Sequence, residues 1–425
     1  MNTSSFEKVT LKNGLRIILT PLPAVKSVTA IVLCGAGSRY EMHRTNGISH
    51  FLEHMFFKGT NRRPTASDIS HALDAIGADY NAFTGKETTG YHIKSASKHL
   101  PMVLDMLSDM LWNSKFDPLE IEKERGVIIE ELNLYEDTPM RRVAEIFEQV
   151  LWGDQPLGWD IGGRKEVIRQ IKQTDFIDYI NARYAPNNMV LSIAGNINQK
   201  PLLKLINKYF GEQKPHKVIS FDKVLEDQKK PALRVVYKKT DQAHLCLGFR
   251  GIHLTHPNRY IAAVLATILG GGMSSRLFIN VREKRGLAYY VRADNETYSD
   301  TGAFVASAGV DLKRIEEAIK VILKQFSQIS YERVSEKELT KAKEYIKGRV
   351  ILSWEDSRTV ALSYGSDELL EGKVRSLDEE LKKVDEVTAG DIQRVAQFLF
   401  TNKKLNLAVI GPFKDQSSFA KILKI

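Results

Sequence analysis

DFIDYINARYAPNNMVLSIAG, residues 175–195, and DIQRVAQFLFTNKKLNLAVIG, residues 391–411, decide how this chain is organised. Each opens with helical period, breaks at a short polar turn and closes with an apolar strand ending on glycine. Their internal spacing is identical and they lie 216 positions apart. A second match lies upstream in each half. VTAIVLCGAGSR brings a strand-like run to Gly35, AHLCLGFRG brings one to Gly248, and these glycines are 213 positions apart. Two features at nearly one offset read as an internal duplication. The polar, Pro- and Lys-containing stretch from Gly211 to Pro231 reads as the connection. The expected fold is therefore α+β, with two homologous α+β domains in tandem: residues 1–212, a linker at 213–231, and residues 232–425. Two such lobes leave room for a cavity between them.

The bulk composition is compatible with that division. A chain of 425 residues is too long for one compact core. Its 43% hydrophobic and 27% charged residues are those of an ordinary soluble globular protein. No apolar run approaches the roughly 18–20 residues of a membrane span, so no membrane partner is expected. The opening MNTSSFEKVTLKNGLRIILTP passes directly into a strand-like pattern. It lacks the basic, apolar and small-residue regions of a secretory signal, and the expected location is the cytoplasm. The net charge of +9 is spread among acids, as in EKELTKAKEYIKGR at 336–349, so no nucleic-acid partner is expected. Only two cysteines occur, Cys34 and Cys246, each inside an apolar run. They read as buried small hydrophobes, and their number excludes a disulfide framework or a Cys-based metal site.

The strongest chemical signal is HFLEH, residues 50–54. On a helix His50 and His54 are i and i+4 and point the same way, and Glu53 shares their side. Phe51, Leu52, Met55 and Phe56 cover the other side. Two neutral imidazoles on one turn can bind a single Zn²⁺ while the neighbouring carboxylate takes a proton from the metal-bound water. A solvated polar face is the plainer reading. It fits poorly with HFLEHMFF, where isolated ionisable groups would be costly amid apolar neighbours.

Catalytic zinc usually takes three protein ligands and keeps a position for water. The third is sought in EIEKERGVIIEELNLYED, residues 120–137. Helical periodicity separates the adjacent Glu130 and Glu131. Glu131 has Val127, Ile128, Leu134 and Tyr135 as neighbours three and four positions away. Glu130 has the wetter set Gly126, Val127, Asn133 and Leu134. Glu131 is thus expected to face inward, and Glu124, two turns earlier on the same side, to orient a ligand histidine. Glu120, Glu122 and Glu130 read as surface acids.

HFLEH is the inverted zinc motif of the inverzincins. Over nearly its whole length the chain resembles the insulinase, pitrilysin and mitochondrial processing peptidase family. NAFTGKETTGYH at 81–92 is similar to that family's edge strand and turn, and ERGVIIEELNLYED at 124–137 to its third-ligand helix. GGGMSSRLFINVREKRGLAYYV at 270–291 is similar to its second-half signature. The resemblance implies a clamshell of two homologous halves around a central cavity, with one Zn²⁺ per chain held by His50, His54 and Glu131. It assigns Glu53 as general base and Glu124 as the assisting carboxylate. It implies a second half without metal, and His253 and His256 indeed form no HxxEH. It places Arg282 and Tyr289, seven apart, as donors to the scissile carbonyl, a role that suits a developing oxyanion. It places Asn81, Ala82 and Phe83 where substrate adds as a strand. Because both sets are present, the implied protein is a self-sufficient zinc endopeptidase, a homodimer acting on peptides or unfolded polypeptide. The alternative is a non-catalytic peptide-binding or scaffold subunit on the same fold.

Overall fold

A computed structural model describes residues 6–425. It contains two mixed sheets. The first holds β1 (Glu7–Thr10), β2 (Arg16–Pro21), β3 (Ser27–Cys34), β4 (Asp79–Thr84), β5 (Thr89–Ala96) and β6 (Met189–Gly195), in the order β1-β2-β6-β3-β5-β4. The second holds β7 (Ala232–Tyr237), β8 (Ala243–Arg250), β9 (Ala288–Thr297), β10 (Gly302–Val310) and β11 (Leu405–Gly411), in the order β7-β11-β8-β10-β9. Without β1 the two orders are the same. The pairing senses also match, since β2 and β6 run parallel, as do β7 and β11, and the remaining pairs are antiparallel.

Strand register refines the duplication. Met189 of β6 pairs with Cys34 of β3, and Leu405 of β11 pairs with Phe249 of β8. Cys34 and Phe249 are 215 positions apart, close to the 216 that separates β6 from β11. Gly35 and Gly248 are therefore not equivalent. β8 does not end at Gly248 but runs on to Arg250. A Cβ at Gly248 would lie 2.3 Å from the Phe304 carbonyl oxygen and 3.1 Å from the Phe147 ring, so glycine is there for close packing.

β3, β6 and β11 read as continuous apolar runs because both faces of these strands are covered. One cover comes from an unexpected place. Helix α1 spans Ile48–Met55, α2 Pro118–Glu136, α3 Pro139–Trp152 and α4 Ser357–Glu371. Helix α4, from the second half of the sequence, lays Val360, Ala361 and Tyr364 on Ile18, Ile31, Leu33 and Val190 of the first sheet. Helix α3, from the first half, lays Val143, Ile146 and Phe147 on Cys246, Val305, Ala408 and Ile410 of the second. The compact units are accordingly discontinuous. One comprises the chain as far as Leu132, Trp159–Asp222 and Ile351–Glu379; the other Asn133–Gly158, Lys223–Val350 and Glu380–Ile425. They differ from the contiguous division by this exchange of helices.

The segment between the halves is tied down along its length. Asn13 Nδ2 donates to the Gln213 carbonyl at 3.1 Å, and Arg39 covers the Phe221 ring at 3.7 Å, both in the first unit. In the second, the Val224 amide donates to Asp300 at 3.0 Å and Gln228 donates to the Leu405 carbonyl at 3.0 Å. Both cysteines are free and buried, and burial pushes both thiols well up. Among the described residues no helix is long and apolar enough to cross a membrane.

Candidate metal centre

Helix α1 carries HFLEH, and its ends explain why it forms. Gly47 precedes it with φ of 97°, a left-handed conformation that suits glycine, and supplies no side-chain cap. The missing acceptor comes from Glu41. Its Oε2 accepts from the Gly47 amide at 2.7 Å and from Asn46 Nδ2 at 3.0 Å, and its Oε1 from the Ser49 amide at 2.9 Å. A carboxylate there meets the positive end of the helix. Burial pushes the Glu41 pKa up, against the pull of these bonds. Ser49 Oγ lies 2.7 Å from the Tyr179 hydroxyl, a second tie on the first turn. Phe51, Leu52 and Met55 are buried, and Phe51 meets Phe176 edge to face. His50, Glu53 and His54 occupy the other side.

Helix α2 brings Glu131 to that side. Its buried stripe is Ile121, Glu124, Ile128 and Leu132, and Glu131 lies beside it, two turns beyond Glu124. Glu130 is exposed, as expected. The apolar neighbours invoked for Glu131 are not the reason, for Val127 is 50% and Leu134 63% exposed. The seven-residue spacing from Glu124 sets its direction.

The three expected ligands converge. His50 Nε2 and His54 Nε2 each lie 3.6 Å from Glu131 Oε2, and the two rings are 4.8 Å apart at 74°. One ligand atom from each residue can be chosen so that all lie within 4.8 Å of one another. Metal–ligand bonds of roughly 2.0–2.1 Å at tetrahedral angles would put ligand atoms about 3.4 Å apart. Two imidazoles and one carboxylate at such separations fit Zn²⁺ with a position left over for water.

His54 is oriented from behind. Its Nδ1 donates to Glu124 Oε2 at 3.1 Å, and Lys58 Nζ lies 2.6 Å from Glu124 Oε1. Burial alone would raise the Glu124 pKa, but the bonds from His54 and Lys58 outweigh it and hold the carboxyl below its ordinary value. An anionic acceptor keeps the proton on Nδ1 and leaves the Nε2 lone pair toward Glu131. Glu53 lies beside the three ligands and has a donor of its own. Thr84 Oγ1 donates to its Oε2 at 2.6 Å. Burial raises the Glu53 pKa, partly offset by Thr84 and His54, with Glu131 adding to the rise. A carboxylate so shifted is a better proton acceptor.

Thr84 ends β4, the edge strand that also carries Asn81, Ala82 and Phe83. Alternation divides this strand. Tyr80 stacks on Phe57 just beyond α1, and Thr84 reaches Glu53. Phe83 turns the other way, into the cluster under α4. Arg282 and Tyr289 belong to the other compact unit. Arg282 lies in a π-helical turn, Phe278–Glu283, with its guanidinium 5.6 Å from the Tyr289 ring, and Tyr289 is 72% exposed. Sequence reasoning missed Glu41, Lys58 and Thr84. Only Thr84 left a signal, its parity with Ala82 along the strand.

Residues 16–164 match the family model described as insulinase (peptidase family M16), and residues 170–346 the one described as peptidase M16 inactive domain. The chain is 37% identical to the uncharacterized zinc protease YmxG of Bacillus subtilis, over 97% of this chain and all of that protein. It is 34% identical to an uncharacterized zinc protease of Mycobacterium leprae, over 98% of this chain and 94% of that one. In fold it is similar to the crystal structure of a protease from Helicobacter pylori, with a TM-score of 0.90 and 24% identity over 96% of this chain and all of the other. Near-complete coverage at this identity, with both halves matched in order, means that the chain belongs to the insulinase (M16) family of peptidases.

Proposed function

We propose that this protein is a zinc-dependent endopeptidase acting on peptides or unfolded polypeptide segments. The observation that carries the reading is the convergence of His50, His54 and Glu131 with Glu53 held beside them. Zinc, when bound by those three, supplies Lewis-acid activation of water and of the scissile carbonyl. Glu53 takes the proton of the attacking water and hands it to the departing amine. Glu124, backed by Lys58, holds His54 in the tautomer a metal needs. The open edge of β4 receives the substrate as an added strand along Asn81, Ala82 and Phe83. Arg282 and Tyr289 are proposed as the donors to the oxygen of the tetrahedral intermediate. A scaffold subunit that only bound peptide would have no use for a base carboxylate oriented by its own donor.

The test separates binding from chemistry. Wild type should hydrolyse a mixed peptide pool, and a chelator should stop it. Glu53→Gln should keep about one zinc per chain, as a single three-ligand site requires, and still bind peptide. Its turnover should fall about 10²–10⁴-fold, the worth of a general base. Near-normal turnover in that variant would remove Glu53 from the chemistry. Metal-loaded wild type that cuts nothing would leave the scaffold reading in its place.

A further inference from the structure

We infer that Thr84 is the positioning residue for Glu53, fastening the base carboxylate to the strand along which substrate lies; this rests on the peptidase reading above. Glu53 is a long, flexible side chain on an eight-residue helix. Among the described residues its carboxylate has one hydrogen-bond donor, the Thr84 hydroxyl at 2.6 Å. That hydroxyl has one proton. Its other acceptor, the Ser49 carbonyl, is at 3.4 Å, so the proton belongs mainly to Glu53 Oε2. A donor committed to Oε2 leaves Oε1 as the oxygen free to receive the proton of water.

Thr84 is itself well placed to hold another group still. It pairs with Thr89 across the β4–β5 hairpin, and the Gly85 amide closes the turn on the Thr88 carbonyl at 2.8 Å. Thr89 Oγ1 in turn donates to the Ala36 carbonyl at 3.0 Å, tying the hairpin to the end of β3. The alternation of β4 then gives one strand two duties. Its outer edge pairs with no other strand among the described residues and offers backbone groups to a peptide. Its face toward α1 ends in the hydroxyl that fixes the base. A peptide docked on β4 is thereby referred to the same backbone as the carboxylate that activates its attacking water. Any displacement of the strand moves both together.

Thr84→Val removes the hydroxyl and keeps the branched shape, which a strand accepts readily. Thr84→Ser keeps the hydroxyl. In crystal structures of the zinc-loaded proteins, Glu53 should leave its wild-type position in Thr84→Val and keep it in Thr84→Ser. Turnover of Thr84→Val should fall about 10- to 100-fold, the cost of misplacing a catalytic group by about 1 Å. Zinc content should not change, KM should stay within about threefold, and Thr84→Ser should recover most of the rate. Placed on Glu53→Gln, Thr84→Val should cause no further loss, because it acts through the group already removed. Should Thr84→Val fold poorly, Thr84→Ala is read in the same way. If Glu53→Gln is inactive but Thr84→Val turns over like wild type with Glu53 unmoved, the role of Thr84 is wrong and the peptidase stands. If wild type itself cuts nothing, the peptidase reading fails, and an unmoved Glu53 in the Thr84→Val crystal overturns the Thr84 inference as well.

Discussion

Replacing Glu124 by glutamine changes one charge and almost no volume, and the geometry sets what it should cost. Glu124 Oε2 accepts from His54 Nδ1 at 3.1 Å while Oε1 accepts from Lys58 at 2.6 Å. A carboxylate serves both donors. A glutamine amide has one oxygen, so Lys58 and His54 compete for it, and its NH₂ group must face one of two donors. A charge-assisted bond to a partly buried group is worth about 1.5–3 kcal/mol. Groups that orient a metal-bound histidine typically alter metal affinity by about 10–100-fold, or about 1.4–2.7 kcal/mol. We therefore expect zinc to bind Glu124→Gln about 10–100-fold more weakly, measured by competition with a chromophoric chelator near neutral pH. Thermal unfolding at fixed, saturating free zinc should lose the same increment, because zinc stabilises the folded chain through its affinity for that state. The carboxyl of Glu124 sits below its ordinary value, so its charge is present above the unfolded glutamate pKa of about 4.3. Its contribution is lost only as pH falls through the depressed folded value, and the difference from wild type should be flat near neutrality. Lys58→Met should cost less, since Glu124 still holds His54, and the double variant should lose less than the two single losses added. Zinc affinity within about twofold of wild type in Glu124→Gln would refute the idea that His54 is oriented from behind.

Residues 1–212 expressed alone lack α4 and leave Ile18, Ile31, Leu33 and Val190 uncovered. At about 1.5–3 kcal/mol for each side chain this rivals the stability of a whole domain, so the fragment should not melt cooperatively, and a sharp calorimetric transition would contradict the helix exchange. Tyr289→Phe and Arg282→Ala should each cost about 2–4 kcal/mol of transition-state stabilisation with zinc content unchanged. Wild-type rates in both would remove the second unit from the chemistry. Glu41→Ala leaves the buried Gly47 and Ser49 amides without their acceptor and should lower the unfolding free energy in urea by about 2–4 kcal/mol. No change in the urea midpoint would mean that the helix does not depend on this cap.

The duplication was legible because a helix, a turn and a strand ended by glycine carry their own periods. Residues 175–195 and 391–411 lead into β6 and β11, which hold corresponding places in sheets of the same order. The upstream match misplaced its partner by two positions. Glycine often closes a strand, but at Gly248 it answers instead to the approach of Phe304 and Phe147. The exchanged helices could not be read. An amphipathic sequence declares that it has an apolar face and is silent on which sheet receives it. Val143, Ile146 and Phe147 would serve as well over the sheet of their own half as over the one they cover.

The groups expected to carry chemistry declare themselves by residue type and spacing, and those that hold them do not. His50, Glu53 and His54 follow from five letters; Glu131 is picked from the acids of residues 120–137 by helical period, and Glu124 by lying two turns before it. Apolar neighbours do not set the direction of Glu131, because Val127 and Leu134, four before and three after it on α2, are themselves exposed. Glu41 caps α1 from before a loop, Thr84 reaches Glu53 from a strand, and Tyr179 meets Ser49 from a helix far along the chain. Each is an ordinary residue whose partner is fixed only by the fold. Yet α1 has eight residues, and a helix below about 12–15 residues is marginal by itself. Its two imidazoles and its carboxylate can keep one geometry only if bonds from other elements fix its first turn, its base and its second histidine separately. Glu41, Thr84 and Glu124 supply one each. The candidate metal centre is thus a property of the sheet and helices around α1 as much as of HFLEH, and the motif without them would remain a polar face on an unstable turn.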